Sequence, residues 1–284
     1  MSQSIPIQKR IVPVNGTDLY CEIRGRGPSV LFICGATGDA GHFERVAEQL
    51  ADEFTVITYD RRGNSRSPTP VGWTQTSLQE QANDAAGLVQ ALRVAPVGVF
   101  GTSSGGAIGL ELLLRRPVVA RGAVLHEPFL PAVCPDQAGR FLTQLQSRIN
   151  AALTTGGPRA AVEAFFCTVA GESVYEGLSP DLRERMLSNG ETLLFIEMPI
   201  FSRYRPEDAA VSAIQQPVRV LQSSDTTQSL RRLICEWLAK LSHTEVGNLL
   251  GGHACYLDHP EETASRLRPY LQRITALQPT EQAD

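Results

Sequence analysis

Val97-Gly98-Val99-Phe100-Gly101-Thr102-Ser103-Ser104-Gly105-Gly106-Ala107-Ile108 is the stretch that decides the fold. It opens with an apolar run of strand type and continues into the apolar spacing of a helix over 104–114. Between them lies Gly-x-Ser-x-Gly, with Ser103 at its centre. Such a string is weak alone. Placed between a strand and a helix it describes a sharp turn that lifts a serine hydroxyl off the sheet edge. The residues two before and two after the serine must be small to clear the neighbouring backbone. Gly101 and Gly105 meet that demand.

Outward from this turn the chain alternates. Apolar runs at 11–14 and 19–23 flank Asn15-Gly16, a hairpin turn signal. Further strands are expected at 29–33, 54–59, 97–100 and 122–125. Helices are expected at 42–50, 76–92 and 104–114, the second started by a capping box of Ser77 and Glu80. Strands and helices alternating at such intervals imply crossover units and a mostly parallel sheet. The pattern lapses between 128 and 213, where helical stretches at 141–153, 159–169, 180–189 and 191–198 carry no strand alternation. It resumes with a strand at 218–221, a helix at 230–241, a strand at 245–249 and a closing helix at 260–271. The expectation is an α/β core of residues 1–127 and 214–284, with a helical cap inserted at 128–213. The polar end, Gln278 to Asp284, is expected to fray.

The 284 residues are 42% hydrophobic and carry a net charge of -4, with 24 arginines against only Lys9 and Lys240. This composition excludes a disordered chain, and the scattered basic residues argue against nucleic acid. No run of 18 apolar residues exists, so no membrane-spanning helix is expected. The first residues lack a charged segment followed by an apolar one, which argues against a secretory signal. The six cysteines form no CxxC pair and no zinc spacing. They read as reduced thiols of a cytoplasmic protein.

A serine hydroxyl needs a base to act as a nucleophile at neutral pH. Of five histidines, His253 follows the last expected strand and so reaches the sheet edge that carries Ser103. His42, His126, His243 and His259 sit at helix starts or strand ends. An acid must hold the imidazole, and two are placed for it: Glu127 after the 122–125 strand and Asp225 after the 218–221 strand. Two backbone N–H groups must meet the developing oxyanion. The residue after the nucleophile, Ser104, supplies one. Ala36, in the loop after the 29–33 strand, supplies the other.

These parts, in this order, resemble the α/β-hydrolase superfamily. The resemblance runs through Cys34-Gly35-Ala36, Asp60-Arg61-Arg62-Gly63-Asn64-Ser65-Arg66-Ser67, Gly101 to Gly105, the helical insertion and Gly252-His253. Two departures stand out. Cys34-Gly35 replaces a common His-Gly, and Gln222-Ser223-Ser224-Asp225 lacks the glycine usual before the acid. His126-Glu127-Pro128 is similar to the pattern of zearalenone-type lactonases, where the acid follows the sixth strand, so the resemblance favours Glu127. It implies a serine esterase or lactonase acting on a large hydrophobic cyclic ester, first of all a macrolide antibiotic lactone, with a zearalenone-like lactone or a small ester as the alternative. Phe129, Phe166, Met198 and Phe201 are the expected pocket residues. No metal or organic cofactor is implied, and the chain is expected to be a monomer or homodimer whose partner is a small-molecule ester. Two rivals use the same scaffold: a cofactor-free haloperoxidase or perhydrolase, and a ligand receptor without catalysis.

Overall fold

The computed structural model describes residues 6–276, so the expectation for 278–284 lies outside the described residues. Eight strands form one sheet in the order β1-β2-β4-β3-β5-β6-β7-β8. They are β1 (Gln8–Val14), β2 (Thr17–Gly25), β3 (Ser29–Ile33), β4 (Thr55–Tyr59), β5 (Val97–Thr102), β6 (Ala120–His126), β7 (Val218–Ser223) and β8 (Val246–Leu249). The β1-β2 and β2-β4 pairs are antiparallel and the remaining pairs are parallel. The hairpin at Asn15-Gly16 turns with both residues at positive φ, 46° and 76°, as the expected turn type requires.

The helices are α1 (Glu44–Leu50), α2 (Leu78–Ala91), α3 (Ser104–Arg115), α4 (Pro135–Ala170), α5 (Glu172–Glu176), α6 (Pro180–Ser188), α7 (Met198–Phe201), α8 (Asp208–Ser212), α9 (Ser229–Leu241), α10 (Cys255–Asp258) and α11 (Pro260–Ala276). Both faces of the sheet are covered. Leu31, Ile57 and Val99 pack with the apolar faces of α2, α3 and α9. Val30, Val56, Phe100 and Val124 pack with α1 and α11 on the other side. Burial on both faces explains why the parallel strands read as continuous apolar runs rather than alternating ones. Among the described residues no helix is long and apolar enough to cross a membrane.

Two local expectations need correction. Ser77 caps α2 by accepting from the Glu80 N–H at 3.0 Å. The Glu80 carboxylate does not return the bond, because it accepts from Trp73 Nε1 and Thr76 Oγ1, both at 2.9 Å. In the insertion, the two helices expected at 141–153 and 159–169 are both present within α4, the first beginning earlier than expected, at Pro135. Gly157, at φ 71° and ψ -167°, breaks the helical path ahead of Pro158, so the chain doubles as two helical arms.

The insertion α4–α8 lies between β6 and β7. It has small cores of its own: Val162, Phe166, Leu182 and Met186 in one, Leu145, Ile149 and Ala161 in the other. The segment 185–192 is stitched to two core loops. Arg185 Nε donates to Asp39 Oδ2 at 2.5 Å and Asn189 Nδ2 to the Thr37 carbonyl at 2.9 Å. Thr192 Oγ1 donates to the Gly63 carbonyl at 2.6 Å.

Candidate active site

Four loops meet at the carboxyl ends of parallel strands, where open α/β sheets place their sites. They follow β3, β5, β6 and β8. The loop after β5 is the sharp turn. Ser103 takes φ 54° and ψ -125°, a region that costs a side-chain-bearing residue on the order of 1–3 kcal/mol. The flanking glycines are required by contact. A Cβ on Gly105 would lie 2.1 Å from the Ile33 carbonyl, and one on Gly101 2.4 Å from the Gly105 carbonyl. The turn is fixed from β6: Ser103 N–H donates to the His126 carbonyl at 3.0 Å, and Phe129 N–H donates to the Ser103 carbonyl at 2.9 Å.

Glu127, just past β6, also takes a positive φ of 41°. Its N–H donates to the Leu221 carbonyl at 2.9 Å. Its Oε2 meets His253 Nδ1 at 2.5 Å. Its Oε1 accepts from the Ser223 N–H at 3.0 Å and from the Thr226 hydroxyl. Burial alone would raise the Glu127 pKa. The hydrogen bond and charge of His253, aided by His126 and Arg231, overcome that and hold it well below the carboxylate range. His253 shifts down: burial disfavours the imidazolium first, the Arg231 cation adds to it, and Glu127 opposes both. The imidazole therefore rests neutral and able to take a proton.

Asp225 is exposed and accepts from its neighbour Ser224 at 2.8 Å. His253 takes its carboxylate from Glu127 instead. The sequence left both carboxylates open on position alone, and the sheet decides between them: β6 lies beside β5 and inside β7.

Ala36, Ser103, Ser104, Glu127 and His253 line one cavity of about 60 Å³. A Cβ on Gly35 would stand 3.0 Å from Ser103 Cβ and 3.3 Å from the Thr102 carbonyl, so glycine eases the close approach of the loop after β3 to the Ser103 turn. That close approach is what carries Ala36 to the cavity. Cys34, in place of the common histidine, is buried beneath it, and burial pushes its thiol well above the usual range.

Of the four expected pocket residues, Phe129, Met198 and Phe201 line the cavity and Phe166 does not. Phe166 is buried inside the cap against Tyr175, ring centroids 6.3 Å apart. Its neighbour Phe165 faces the cavity with Phe141. One residue along a helix turns the side chain by about 100°, and the sequence does not say which member of a Phe-Phe pair looks inward.

Two charged residues at the cavity were not singled out from sequence. Arg231, on α9, reaches 3.7 Å from Glu127 Oε2 and donates to the cap carbonyl of Val169 at 3.0 Å. Glu197 closes a π-helical turn, Thr192–Glu197, and is paired with the buried Arg61. Both come from segments that read as ordinary amphipathic helix, and their targets are distant in sequence.

Comparison with known proteins follows the same outline. Residues 30–266 match the family model described as Alpha/beta hydrolase family. An uncharacterized hydrolase, YraK, of Bacillus subtilis (strain 168) is 28% identical over 275 residues, spanning 94% of this chain and 97% of its own. A zearalenone hydrolase of Bionectria ochroleuca is 25% identical over 260 residues, spanning 87% and 91%. A thermophilic esterase from Thermogutta terrifontis superposes with a TM-score of 0.75 at 21% identity, covering 94% of this chain and 99% of that one.

Proposed function

Because the chain belongs to the alpha/beta hydrolase family, we propose that it hydrolyses carboxylic esters with Ser103 as nucleophile, His253 as base and Glu127 as acid. The observation that carries this reading is the 2.5 Å contact of His253 Nδ1 with Glu127 Oε2 at a cavity that Ser103 shares.

The reaction is acyl transfer in two steps. Ser103 Oγ attacks the ester carbonyl carbon as His253 Nε2 takes its proton. Glu127 holds the imidazole through Nδ1 and balances the imidazolium. The N–H groups of Ala36 and Ser104 receive the oxyanion. His253 passes the proton to the departing alkoxide, leaving an acyl-serine. Water then attacks that ester, giving its proton to His253, and Ser103 is regenerated with release of the acid. From a lactone, the product is a single hydroxy acid.

The walls define the substrate. Phe129, Phe141, Leu145, Phe165, Met198 and Ile234 make the lining chiefly apolar, which suits a lipophilic ester. The finer reading is a large cyclic ester, first a macrolide lactone. The similarity to a zearalenone hydrolase and the acid placed after β6 favour a resorcylic lactone as the second reading. The cavity of about 60 Å³ is smaller than the roughly 300–1,000 Å³ of pockets that enclose drug-sized ligands, so binding of either macrocycle requires the site to widen. A cytoplasmic setting is part of the proposal, supported by the six free cysteines.

The test is incubation with small esters, a resorcylic lactone and 14- and 16-membered macrolides, with Ser103→Ala in parallel, followed by mass spectrometry. Gain of one water on a macrolide, abolished in the variant, supports the full reading. Hydrolysis of small esters alone keeps the mechanism and removes the macrocycle. No turnover of any ester overturns the mechanism and leaves the receptor or peroxide-dependent alternatives.

A further inference from the structure

The peptide between Gly35 and Ala36 is held from behind. The Gly35 carbonyl accepts from Arg61 Nη2 at 3.2 Å and from the Gly38 N–H at 3.2 Å. In a trans peptide the N–H points opposite to the C=O. Fixing the Gly35 oxygen therefore fixes the direction of the Ala36 N–H, the proposed oxyanion donor. Arg61 is itself fully buried and cannot choose its own orientation in water. Its guanidinium is forked onto Glu197, Nη1 to Oε1 and Nη2 to Oε2, the latter at 3.0 Å. Glu197 belongs to the cap, is 1% exposed and accepts a further bond from Asn64 Nδ2 at 3.2 Å. A chain of contacts thus runs from cap to Glu197, to Arg61, to Gly35, to the Ala36 N–H, with a longer contact from Arg61 Nη1 to Gln81 Oε1 of α2 at 3.4 Å beside it.

We infer that Arg61 and Glu197 form a positioning pair that makes the oxyanion hole depend on a docked cap. The inference rests on the ester-hydrolase reading above. The physical case is directional. A buried ion pair is a poor source of net stability, because desolvation offsets its attraction. A two-pronged guanidinium–carboxylate contact does, however, impose a plane and an angle, and the remaining reach of Nη2 is spent on the one carbonyl that aims the donor. Glu197 also lines the cavity, so a substrate that displaces the π-helical turn loosens the donor, and one that leaves it seated keeps the donor aimed. The cap then selects substrates by rate as well as by fit.

The experiment uses the full chain, Glu197→Gln, and the double variant Arg61→Met/Glu197→Leu, which removes both charges and leaves none unpaired in the interior. Three quantities are measured: steady-state kinetics on the best ester of the panel, affinity for an alkyl boronic acid, and affinity for the unreactive amide of the same chain. The boronic acid takes Ser103 Oγ onto boron and sets a tetrahedral oxygen in the oxyanion hole; the amide does not. Loss of one oxyanion donor typically lowers kcat by about 10²–10³. The double variant is expected to lose about 10–100-fold in kcat and a similar factor in boronate affinity, with amide affinity within about threefold. Glu197→Gln is expected to show the same signature at smaller size. The proposal is overturned if the folded double variant keeps its kcat and boronate affinity within twofold. Equal loss of boronate and amide affinity also overturns it, since that marks a general collapse of the pocket. A parent protein that neither turns over an ester nor binds the boronate removes the underlying hydrolase reading, and this inference with it.

Discussion

The backbone N–H of Ser103 donates to the carbonyl of His126 at 3.0 Å, so the Ser103 turn hangs from the residue that precedes Glu127. The side chains repeat the link. Ser223 Oγ donates to the Gly252 carbonyl at 2.8 Å, which leaves it to accept from His126 Nε2 at 2.9 Å. His126 Nδ1 then accepts from Thr102 Oγ1 at 2.9 Å. Thr102, His126 and Gly252 each stand one position before Ser103, Glu127 and His253. A neutral, fully buried imidazole thus joins the roots of all three groups.

The first prediction separates the two carboxylates. Glu127→Gln removes the partner that orients His253 and balances its charge. In a comparable triad, removing the acid's charge costs about 10⁴ in kcat, and a loss of about 10³–10⁴ is expected here. Among the described residues the Asp225 carboxylate accepts a hydrogen bond only from Ser224 Oγ, and Asp225→Asn is expected to stay within twofold. Equal losses in steady-state assays of the two variants would show that Asp225 shares the work.

That contrast also marks how far the sequence could be read. Strand β3 has the bounds expected of it, because its apolar run is closed by Pro28 on one side and Cys34-Gly35 on the other. The Ser103 turn was legible because glycine is demanded by contact at both flanks. Glu127 and Asp225 were equivalent by position, since each follows a strand. What separates them is strand order, which is a long-range property. The same limit hid the contacts of Arg61, Glu197 and Arg231. Their partners lie 26 to 136 positions away in the sequence.

The neighbouring phenylalanines of the cap are expected to differ in kind. Phe165→Ala widens the cavity wall, so KM and chain-length preference should change while the melting temperature moves little. Phe166→Ala empties a place inside the cap core, where such a truncation costs about 3–5 kcal/mol. Its expected mark is a lower melting temperature with the ester preference of the parent. Reversal of the two patterns in paired melting and ester-panel assays would reassign the pocket wall.

Acid sensitivity is expected from His126. Burial lowers its pKa to about 4, against about 6.5 when unfolded. As pH falls, the unfolded chain takes up this proton before the folded one does. The associated stability is complete above about pH 6.5 and is lost progressively down to about pH 4, by about 3 kcal/mol in all. His126→Gln retains a donor and an acceptor but does not titrate. Urea unfolding at pH 7 and pH 4.5 should show a smaller acid loss in the variant than in the parent. Parallel losses would place the acid sensitivity elsewhere.

On the proposed mechanism, Arg231 is expected to set the acid limb of the pH profile. The proposed reaction requires neutral His253, and the imidazole is held neutral first by burial and then by the Arg231 cation. Arg231→Met removes that second influence and leaves the Glu127 carboxylate, which favours the imidazolium. The His253 pKa must then rise, so at a given acidic pH less of the enzyme holds the free base. The acid limb of kcat/KM is expected to move to higher pH, with the two profiles converging on the alkaline plateau. Arg231 also ties α9 to the cap through the Val169 carbonyl, and a loosened cap would lower kcat/KM evenly at every pH. The shape of the ratio between parent and variant therefore separates the two roles. Arg231→Lys retains the charge and should keep the parent's limb even where the cap contact is lost. A variant ratio that is flat from the acid limb to the plateau would show that the residue serves the cap alone.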